Sequence, residues 1–398
     1  MTTRSPSTLT IAFGLALGAA VSLGLARFSY ALLLPPMRAD LDWSYLTAGA
    51  MNTANAAGYL AGALLAPRWL ARHDARAVML AGMVASALLL IAHGLVLGDA
   101  SLYVLRLLTG VGSAATFVAG GLLAARLAHA PVAAGAKSVP PGLVLGLYYG
   151  GTGLGIIASS LLVPPLATRA VPHAWQSAWW ALGLAALVAG AITLSTVRAF
   201  ASPPVPRSVR GGFRWRDFGF GLAAYLMFGL GYIGYMTFII TLLHEQQVAP
   251  GQIVGFFVLL GAGVVASSWI WAGVLQRFRG GESLALLNGL LAVATLLPVL
   301  SVHPLALVAS GVLFGAVFLS LVASTTALVR HNLPADAWPA GIAAFTIVFA
   351  AGQIAGPTIV GWLADGSGGL SRGLAYSALF LAAGAVLAMR QKPLNRVH

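Results

Sequence analysis

The sequence predicts an all-α, polytopic membrane protein whose twelve transmembrane helices form two pseudo-symmetric six-helix bundles. Hydrophobic residues make up 59% of the 398 residues and charged residues only 8%, whereas about 25% of a soluble domain is charged. The mean hydropathy is +0.90. Because a hydrocarbon core of about 30 Å needs about 20 apolar residues per helix, a chain of this length with short loops holds about twelve helices.

Apolar runs separated by Pro, Gly, Arg or Asp give the individual spans. The first run follows Arg4 and resembles a signal peptide, but it is too long and lacks a convincing cleavage site before Arg27, so we expect it to be retained as helix 1. The predicted spans are 10–34, 45–66, 77–97, 101–124, 142–164, 177–197, 218–242, 252–275, 283–301, 304–328, 339–363 and 373–389.

The basic residues predict the orientation of these spans. An even number of helices places both termini on one side, and Lys and Arg are enriched in cytoplasmic loops. With both termini cytoplasmic, the outer loops hold only Arg38, Arg169 and Arg372. The inner loops and tails then hold Arg4, Arg68, Arg72, Arg76, Arg126, Lys137, Arg198, Arg207, Arg210, Arg214, Arg216, Arg277, Arg279, Arg330, Arg390, Lys392 and Arg396. We therefore expect a multi-pass protein of a bacterial inner membrane with cytoplasmic termini.

The longest hydrophilic stretch, 198–217, lies near the middle of the chain and contains five arginines and three prolines. It predicts a cytoplasmic basic linker between an N-terminal bundle, 1–197, and a C-terminal bundle, 218–398. Basic turns after helices 2 and 8 and glycine-containing stretches in helices 4 and 10 indicate that the halves are related. Two related six-helix halves around a midplane site are typical of secondary transporters.

Charge within the predicted spans has one sign. Arg27 in helix 1 and Arg106 in helix 4 are the two formally charged residues there, whereas all nine carboxylates fall in loops or at span ends. An ionisable side chain in hydrocarbon is costly and indicates a functional site. At 1.5 Å per residue both arginines lie roughly 10 Å below the outer surface. Together they suit bidentate capture of a carboxylate; alternatively, each reaches the interface or a backbone carbonyl.

Other polar and aromatic residues are further candidates for substrate binding. Asn52 and Asn55 share a face of helix 2 with Tyr59, and such a ridge either binds substrate or ties helices together. Tyrosines in helices 5 and 7 offer hydroxyls and flat apolar walls, or anchor the membrane interface. In helix 11, Gln353 lies in a stretch of small residues that ends at a proline. The tyrosines are Tyr148, Tyr149, Tyr232 and Tyr235.

Glycines and prolines predict where helices approach closely and bend. The glycine run of helix 5, which includes Gly150 and Gly151, favours close helix packing and rocking, and Gly356 with Pro357 allows bending of helix 11. No glycine-rich loop follows a strand, so no nucleotide or other cofactor is expected. The chain has no cysteine, and the Met79 and Met83 pair is expected to pack in the core rather than bind copper, so no metal site is expected. His93 and His303 are expected to be interface residues rather than a proton relay.

Short segments in the right order along the chain resemble the major facilitator superfamily. Arg106-Leu-Leu-Thr-Gly110-Val-Gly112 resembles its helix-4 motif, and Gly273 to Gly280 keeps the glycine spacing of its cytoplasmic motif. Three further segments look like the bacterial YbfB/YjiJ branch: Gly24-Leu-Ala-Arg27-Phe-Ser-Tyr30 with Leu34-Pro-Pro-Met37, Gly231-Tyr-Ile-Gly-Tyr-Met-Thr-Phe238, and Gly352-Gln-Ile-Ala-Gly-Pro357.

This resemblance implies the major facilitator fold, in which helices 1 and 4 line a central cavity. It adds Tyr30 to the candidate binding residues and gives the motif glycines Gly110, Gly112, Gly273 and Gly280 a gating role. The sequence also departs from the superfamily. Ala66 and Arg277 replace the usual acidic residue of the cytoplasmic motif, and helix 5 lacks the Gly-Pro pair of drug antiporters.

The leading hypothesis is secondary active transport of a small organic anion, such as a carboxylate, by alternating access. Efflux of amphipathic or cationic drugs is the alternative within transport, and a membrane sensor that binds a ligand without moving it is an alternative of another class. We expect no enzymatic activity, because no nucleophile and base or metal-ligand cluster lies at one depth. The expected partners are the small-molecule substrate and the lipid bilayer, without nucleic acid, and the protein is expected to be a monomer.

Overall fold

The structure is a computed structural model that describes residues 7–130, 139–198, 200 and 212–394. Five basic residues of the predicted inner loops and tails lie outside the described residues, as do positions 199 and 201–211 of the predicted linker. The five are Arg4, Lys137, Arg207, Arg210 and Arg396.

Twelve long helices and no strand make up the described part of the chain, which confirms the predicted all-α fold class. We number them in chain order. They are α1 (Thr8–Asp40), α2 (Tyr45–Leu70), α3 (Ala75–His93), α4 (Asp99–Ala128), α5 (Pro141–Ala167), α6 (Trp175–Val197), α7 (Trp215–Glu245), α8 (Pro250–Arg277), α9 (Glu282–Leu300), α10 (Pro304–Asn332), α11 (Trp338–Ala364) and α12 (Gly369–Met389).

Within the described residues, eleven of these helices are long and apolar enough to cross a membrane. The twelfth, α2, is 26 residues long. Its mean hydropathy is too low for it to be counted with the other eleven, because its first half contains the polar residues Asn52, Thr53 and Asn55. Length therefore makes α2 a spanning helix, and its polar residues need protein partners, because hydrocarbon offers none.

Two helices are less regular than the sequence predicts. The expected end of helix 1 before Pro35 and Pro36 is wrong, since α1 continues to Asp40. Each proline lacks the N–H group that would bond the carbonyl four residues earlier, so the helix continues here with two fewer backbone hydrogen bonds. At 1.5 Å per residue, Arg27 is then roughly 20 Å from the end of its helix. Helix α8 is interrupted at Trp271, whose indole Nε1 donates to the Ala316 carbonyl at 2.7 Å.

The described residues cluster into two compact units. The first comprises 7–40, 57–130, 139–198 and 200, and the second comprises 41–56 and 212–394. The first part of α2 therefore packs with the second unit, although the predicted boundary places all of α2 in the N-terminal bundle. The boundaries 1–197, 198–217 and 218–398 stay a prediction.

Helix pairing within each unit follows one pattern. In the first unit α3 packs on α4 and α6, while α1 packs on α5 and α6. In the second unit α9 packs on α10 and α12, while α7 packs on α11 and α12. Adding six to each helix number converts the first set into the second. The two bundles are therefore built alike, as the pseudo-symmetry of the predicted fold requires.

Candidate functional site

The two arginines of the first unit are brought together by an irregular turn in α1. Residues Ala20–Phe28 form a π-helix, in which the backbone is wider than in an α-helix. Such segments are frequent at functional sites. Arg27 lies in this segment, and Arg106 of α4 donates from Nη1 to the Ala26 carbonyl at 3.1 Å. The side chains are 3% and 1% exposed, so both positive charges are buried at the same level of the bundle.

Aromatic rings cover the guanidinium groups. The Cζ atom of Arg106 lies 4.6 Å from the ring centre of Tyr30, and Cζ of Arg27 lies 5.5 Å from that of Tyr59 and 6.0 Å from that of Phe28. A cation within about 6 Å of a ring face is attracted by its electron density. Tyr30 and Tyr59, which are predicted binding residues, therefore stack on the two arginines.

Hydrogen bonds and a close helix contact fix α1 beside α4 and α5. The Ser22 hydroxyl donates to the Ser113 carbonyl at 2.8 Å, and the Ser113 hydroxyl donates in turn to the Ser22 carbonyl. On the other side, a Cβ atom at Gly24 would clash with the backbone of Gly155. These contacts lie one turn from Arg27, so they hold its backbone in place.

Every carboxylate of the chain lies at a helix end or in a turn. This confirms the sequence expectation for the described helices and leaves their middle sections without acidic residues. The nine are Asp40, Asp42, Asp74, Asp99, Asp217, Glu245, Glu282, Asp336 and Asp365. Within the described part of the chain, no three His, Asp or Glu residues are arranged to hold a metal ion.

The two helix-5 tyrosines have different surroundings. Tyr148 is fully buried, and its hydroxyl donates to the Phe117 carbonyl at 2.5 Å. Tyr149 is 40% exposed, with its ring centre 6.0 Å from that of Phe117. Tyr148 thus ties α5 to α4, whereas a large part of the Tyr149 side chain is exposed. Elsewhere in the first unit, His93 is buried and stacks on Trp179 with ring centres 4.4 Å apart.

The predicted polar ridge of α2 is divided between the units. Asn52 and Asn55 belong to the second unit and Tyr59 to the first. The Asn52 amide donates to the Thr237 hydroxyl of α7 at 2.6 Å. These amides were predicted either to bind substrate or to tie helices together. The contact of Asn52 joins α2 to α7 and is therefore of the second type. Asn55 is fully buried.

The helix-7 tyrosines are both buried in the second unit. Tyr232 stacks on Phe228 and Phe349, with ring centres 4.7 and 5.6 Å apart. The Tyr235 hydroxyl lies 2.6 Å from the Ser310 hydroxyl, and its ring stacks on Phe314 at 4.1 Å. Tyr232 is thus part of an aromatic stack that joins α7 and α11, whereas Tyr235 packs against α10.

The residues of α11 lie where that helix touches α7. Gln353 is 5% exposed. At Gly356, an added Cβ atom would lie 2.6 Å from the Leu230 carbonyl oxygen, so only glycine permits this approach. The Pro357 carbonyl is in contact with α2 at Gly49.

The predicted gating glycines of the other helices fall into two groups. Four are buried in the first unit: Gly110, Gly112, Gly150 and Gly151. A Cβ atom at Gly112 would lie 2.9 Å from the Ser86 hydroxyl, and one at Gly151 would clash with the Ala16 carbonyl. In the last part of α8, nothing lies within 4 Å of a Cβ atom at Gly273, whereas Gly280, in the turn that follows, faces the Gln391 carbonyl. Close helix packing therefore involves the first group.

Sequence reasoning missed the contacts made by the start of α2. The Asp365 carboxylate, at the end of α11, accepts the backbone N–H groups of Tyr45 and Leu46 at 2.8 and 2.9 Å. The Tyr45 hydroxyl donates to Glu245 at the end of α7. Partners 200 to 320 positions apart leave no periodic signal in the sequence, although the acidic residues at the ends of the two helices could be recognised there.

The twelve-helix fold with two bundles built alike is typical of a membrane transporter of the major facilitator type. A family model described as the uncharacterised MFS-type transporter YbfB matches residues 19–389. The chain therefore belongs to this family of MFS-type transporters, which confirms the resemblance carried by the short motifs. Among curated proteins, none matches the chain.

Two solved transporter structures resemble the whole chain. One is a bacterial homologue of the human lysosomal transporter Spinster in an inward-facing, unoccupied conformation: it is 13% identical, with a TM-score of 0.66, and the match covers 98% of this chain and 96% of that chain. The other is the nucleoside transporter NupG: it is 14% identical, with a TM-score of 0.68, and the match covers 96% of each chain. At these identities the likeness concerns the fold.

Proposed function

We propose that this MFS-type transporter is a secondary active transporter that moves a small organic anion, such as a carboxylate, by alternating access. The observation that carries the proposal is the buried arginine pair of the first unit. Arg106 binds the carbonyl of the residue next to Arg27, which supports the assignment of both guanidinium groups to one site. Tyr30 and Tyr59 form its aromatic sides.

The chemistry of the arginine pair favours an anion. A guanidinium group has five N–H donors in a planar fork that matches a carboxylate. Arg106 gives one of them to the Ala26 carbonyl. Two buried positive charges repel each other and a cationic substrate, and binding of one anion offsets part of that cost. This argues against the alternative of cationic drug efflux.

The other predicted binding residues have separate roles in the proposal. Asn55, Tyr232 and Gln353 remain candidates for substrate contact, as Tyr149 does in the first unit. Asn52, Tyr148 and Tyr235 act mainly in packing, because their polar atoms bond to neighbouring helices. The glycines at close helix contacts allow the helices to shift during the transport cycle.

The proposal includes the membrane and orientation inferred from charge. The protein lies in a bacterial inner membrane as a monomer. Both termini lie in the cytoplasm, because the inner loops then carry most of the basic residues. The end of α2 at Tyr45 and the end of α11 at Asp365 accordingly lie on the outer side.

Transport by purified protein in proteoliposomes tests the proposal. A panel of carboxylates, nucleosides and cationic drugs is first screened by thermal shift, because a bound substrate stabilises the native state. Uptake or counterflow of the stabilising compound is then measured for Arg27→Ala, Arg106→Ala and Arg106→Lys. Loss of a bidentate contact to a charged group is worth about 1.5–3 kcal/mol, so each variant should bind the anion at least about tenfold more weakly.

The control is Arg169→Ala, which removes one positive charge from an exposed outer turn and should transport normally. Wild-type anion transport by both Arg27→Ala and Arg106→Ala would contradict the proposal. Stabilisation and transport of cationic drugs alone would favour the efflux alternative, and binding without counterflow would favour a sensor.

A further inference from the structure

The first turn of α2 has two caps of different origin. The Ser44 hydroxyl accepts the N–H of Thr47 at 3.1 Å, and the first hydrogen bond of the helix itself runs from the N–H of Ala48 to the Ser44 carbonyl at 3.1 Å. The two preceding N–H groups, of Tyr45 and Leu46, are bound by the Asp365 carboxylate of α11. A helix has four such N-terminal groups to satisfy. The Ser44 cap alone can start the helix. Asp365 therefore attaches α2 to α11 and is not needed to form the helix.

Below this cap, polar contacts continue along α2 on the side of α11. The Thr53 hydroxyl donates to the Ile354 carbonyl at 2.6 Å and lies 2.8 Å from the Thr358 hydroxyl. At Gly49, the backbone of α2 touches the Pro357 carbonyl. From Asp365 to Ile354, hydrogen bonds and glycine contacts therefore line the outer half of α2.

A second row of contacts joins the same half of α2 to α7. Asn52 donates to Thr237, and the Tyr45 hydroxyl donates to Glu245. The Tyr45 ring also meets Phe238 edge-on with centres 6.3 Å apart. The outer half of α2 thus makes polar contacts with both α11 and α7.

Polar contacts of this kind can open and close at low cost. A protein hydrogen bond exchanges with bonds to water and has a small net free energy, whereas separation of an apolar face exposes its whole area to water. The Asp365 carboxylate is exposed at the end of the row, where water can replace it. The contact between the Asp365 carboxylate and the first turn of α2 depends on this one side chain, and it is also the contact nearest to the outer solution.

We propose that Asp365 is a positioning residue for transport, whose carboxylate holds the outer half of α2 against α11 and releases it when the outer side opens. The proposal rests on the proposed function, transport by alternating access. It assigns a gating role to an acidic side chain outside the arginine site, at the end of the membrane-spanning region.

Cysteine labelling tests this role directly, because the natural chain contains no cysteine. Thr358→Cys places a thiol beside Thr53 in the contact, and its reaction with a membrane-impermeant maleimide added from outside reports separation of α2 from α11. Asp365→Asn is compared with Asp365 in this same background. Loss of the charge at the helix N-terminus should raise the labelling rate at least about threefold.

Two controls make the result specific. Asp42→Asn removes one charge from the same outer surface, at a positive φ of 52° that Asn also tolerates, and should leave the labelling rate unchanged. Ser377→Cys, at a fully buried position beside Gly234 of α7, should stay protected from the maleimide in the Asp365→Asn protein.

An unchanged rate at the Thr358 position in Asp365→Asn would overturn the proposal. A rise at both cysteines would also overturn it, because it would indicate general loosening of the fold. Labelling needs no substrate, so these results are separate from the fate of the proposed function, which fails if the unmodified protein transports no anion.

Discussion

At the scale of single residues, buried polar side chains in this protein commonly bind backbone carbonyls of neighbouring helices. Arg106 binds the Ala26 carbonyl, Tyr148 that of Phe117, and Trp271 that of Ala316. Hydrocarbon offers no hydrogen-bond partner, so such groups must find one within the protein. Every residue carries a backbone carbonyl, so the partner of such a side chain leaves no mark in the sequence. Hydropathy alone therefore cannot separate binding residues from residues that tie helices together.

Asp40 at the end of α1 illustrates a residue that ties two segments at the surface. One carboxylate oxygen accepts from Nδ1 of His173 at 2.5 Å and from Nε1 of Trp175 at 2.6 Å. Trp175 itself is 1% exposed. The pair joins the end of α1 to the start of α6, within the first unit.

We predict that Trp175→Phe lowers the free energy of unfolding by about 1 kcal/mol. The ring remains apolar and buried, but the hydrogen bond to the carboxylate is lost, and partial exposure of Asp40 limits its worth. Thermal unfolding in detergent is the measurement. Trp180→Phe, at a 43% exposed position of the same helix, should change the melting temperature little, and equal effects of the two substitutions would contradict this assignment.

At the scale of elements, small residues decide which helices approach closely. Gly151 of α5 lies against the Ala16 carbonyl, while Gly190 of α6 has no atom within 4 Å of an added Cβ. The residue type is the same and both lie inside helices. Only the packing of the neighbouring helix distinguishes a required glycine from a replaceable one.

We therefore predict that replacement of glycine by alanine changes stability in opposite directions at these two positions. Gly151→Ala should force α5 away from α1 and lower the melting temperature, because backbone atoms cannot move aside as a side chain can. Gly190→Ala should raise stability by about 0.5–1 kcal/mol, since alanine has less backbone freedom to lose in a helix. Melting curves of the two variants in the same detergent test this pair, and destabilisation by Gly190→Ala would show that its surroundings are not open.

At the scale of the whole molecule, the two units repeat one arrangement of helix pairs, and the distribution of positive charge is the basis of the proposed orientation. Ser367, in the turn before α12, is exposed on the proposed outer side, and Gln276, near the end of α8, is exposed on the inner side. Orientation is a property of the complete chain, because every helix reverses the direction of the previous one.

The orientation predicts opposite labelling of two single cysteines. Ser367→Cys should react with an impermeant maleimide in intact cells, whereas Gln276→Cys should react only after the cells are permeabilised. The positive-inside bias is the physical reason. The reverse pattern would overturn the proposed orientation, and with it the outer position of Asp365.

Much of the fold was predictable because hydropathy is a local property. Windows of about 20 residues located twelve helices, and the two arginines stood out as charges within apolar spans. The arrangement of the candidate site was less accessible. The π-helical turn that places Arg106 on the Ala26 carbonyl, and the stacking of Tyr30 and Tyr59 on the two arginines, depend on helix rotation, which a nearly uniform apolar pattern does not specify.

By itself the sequence determined that this is a polytopic helical membrane protein with two related halves, buried charge of one sign and acidic residues confined to helix ends. Only the tertiary structure decided that the first half of α2 packs with the second unit and that Asp365 caps its first turn. The physical reason is that hydrophobicity acts on each segment separately, whereas hydrogen bonds between residues 320 positions apart exist only once the helices have packed.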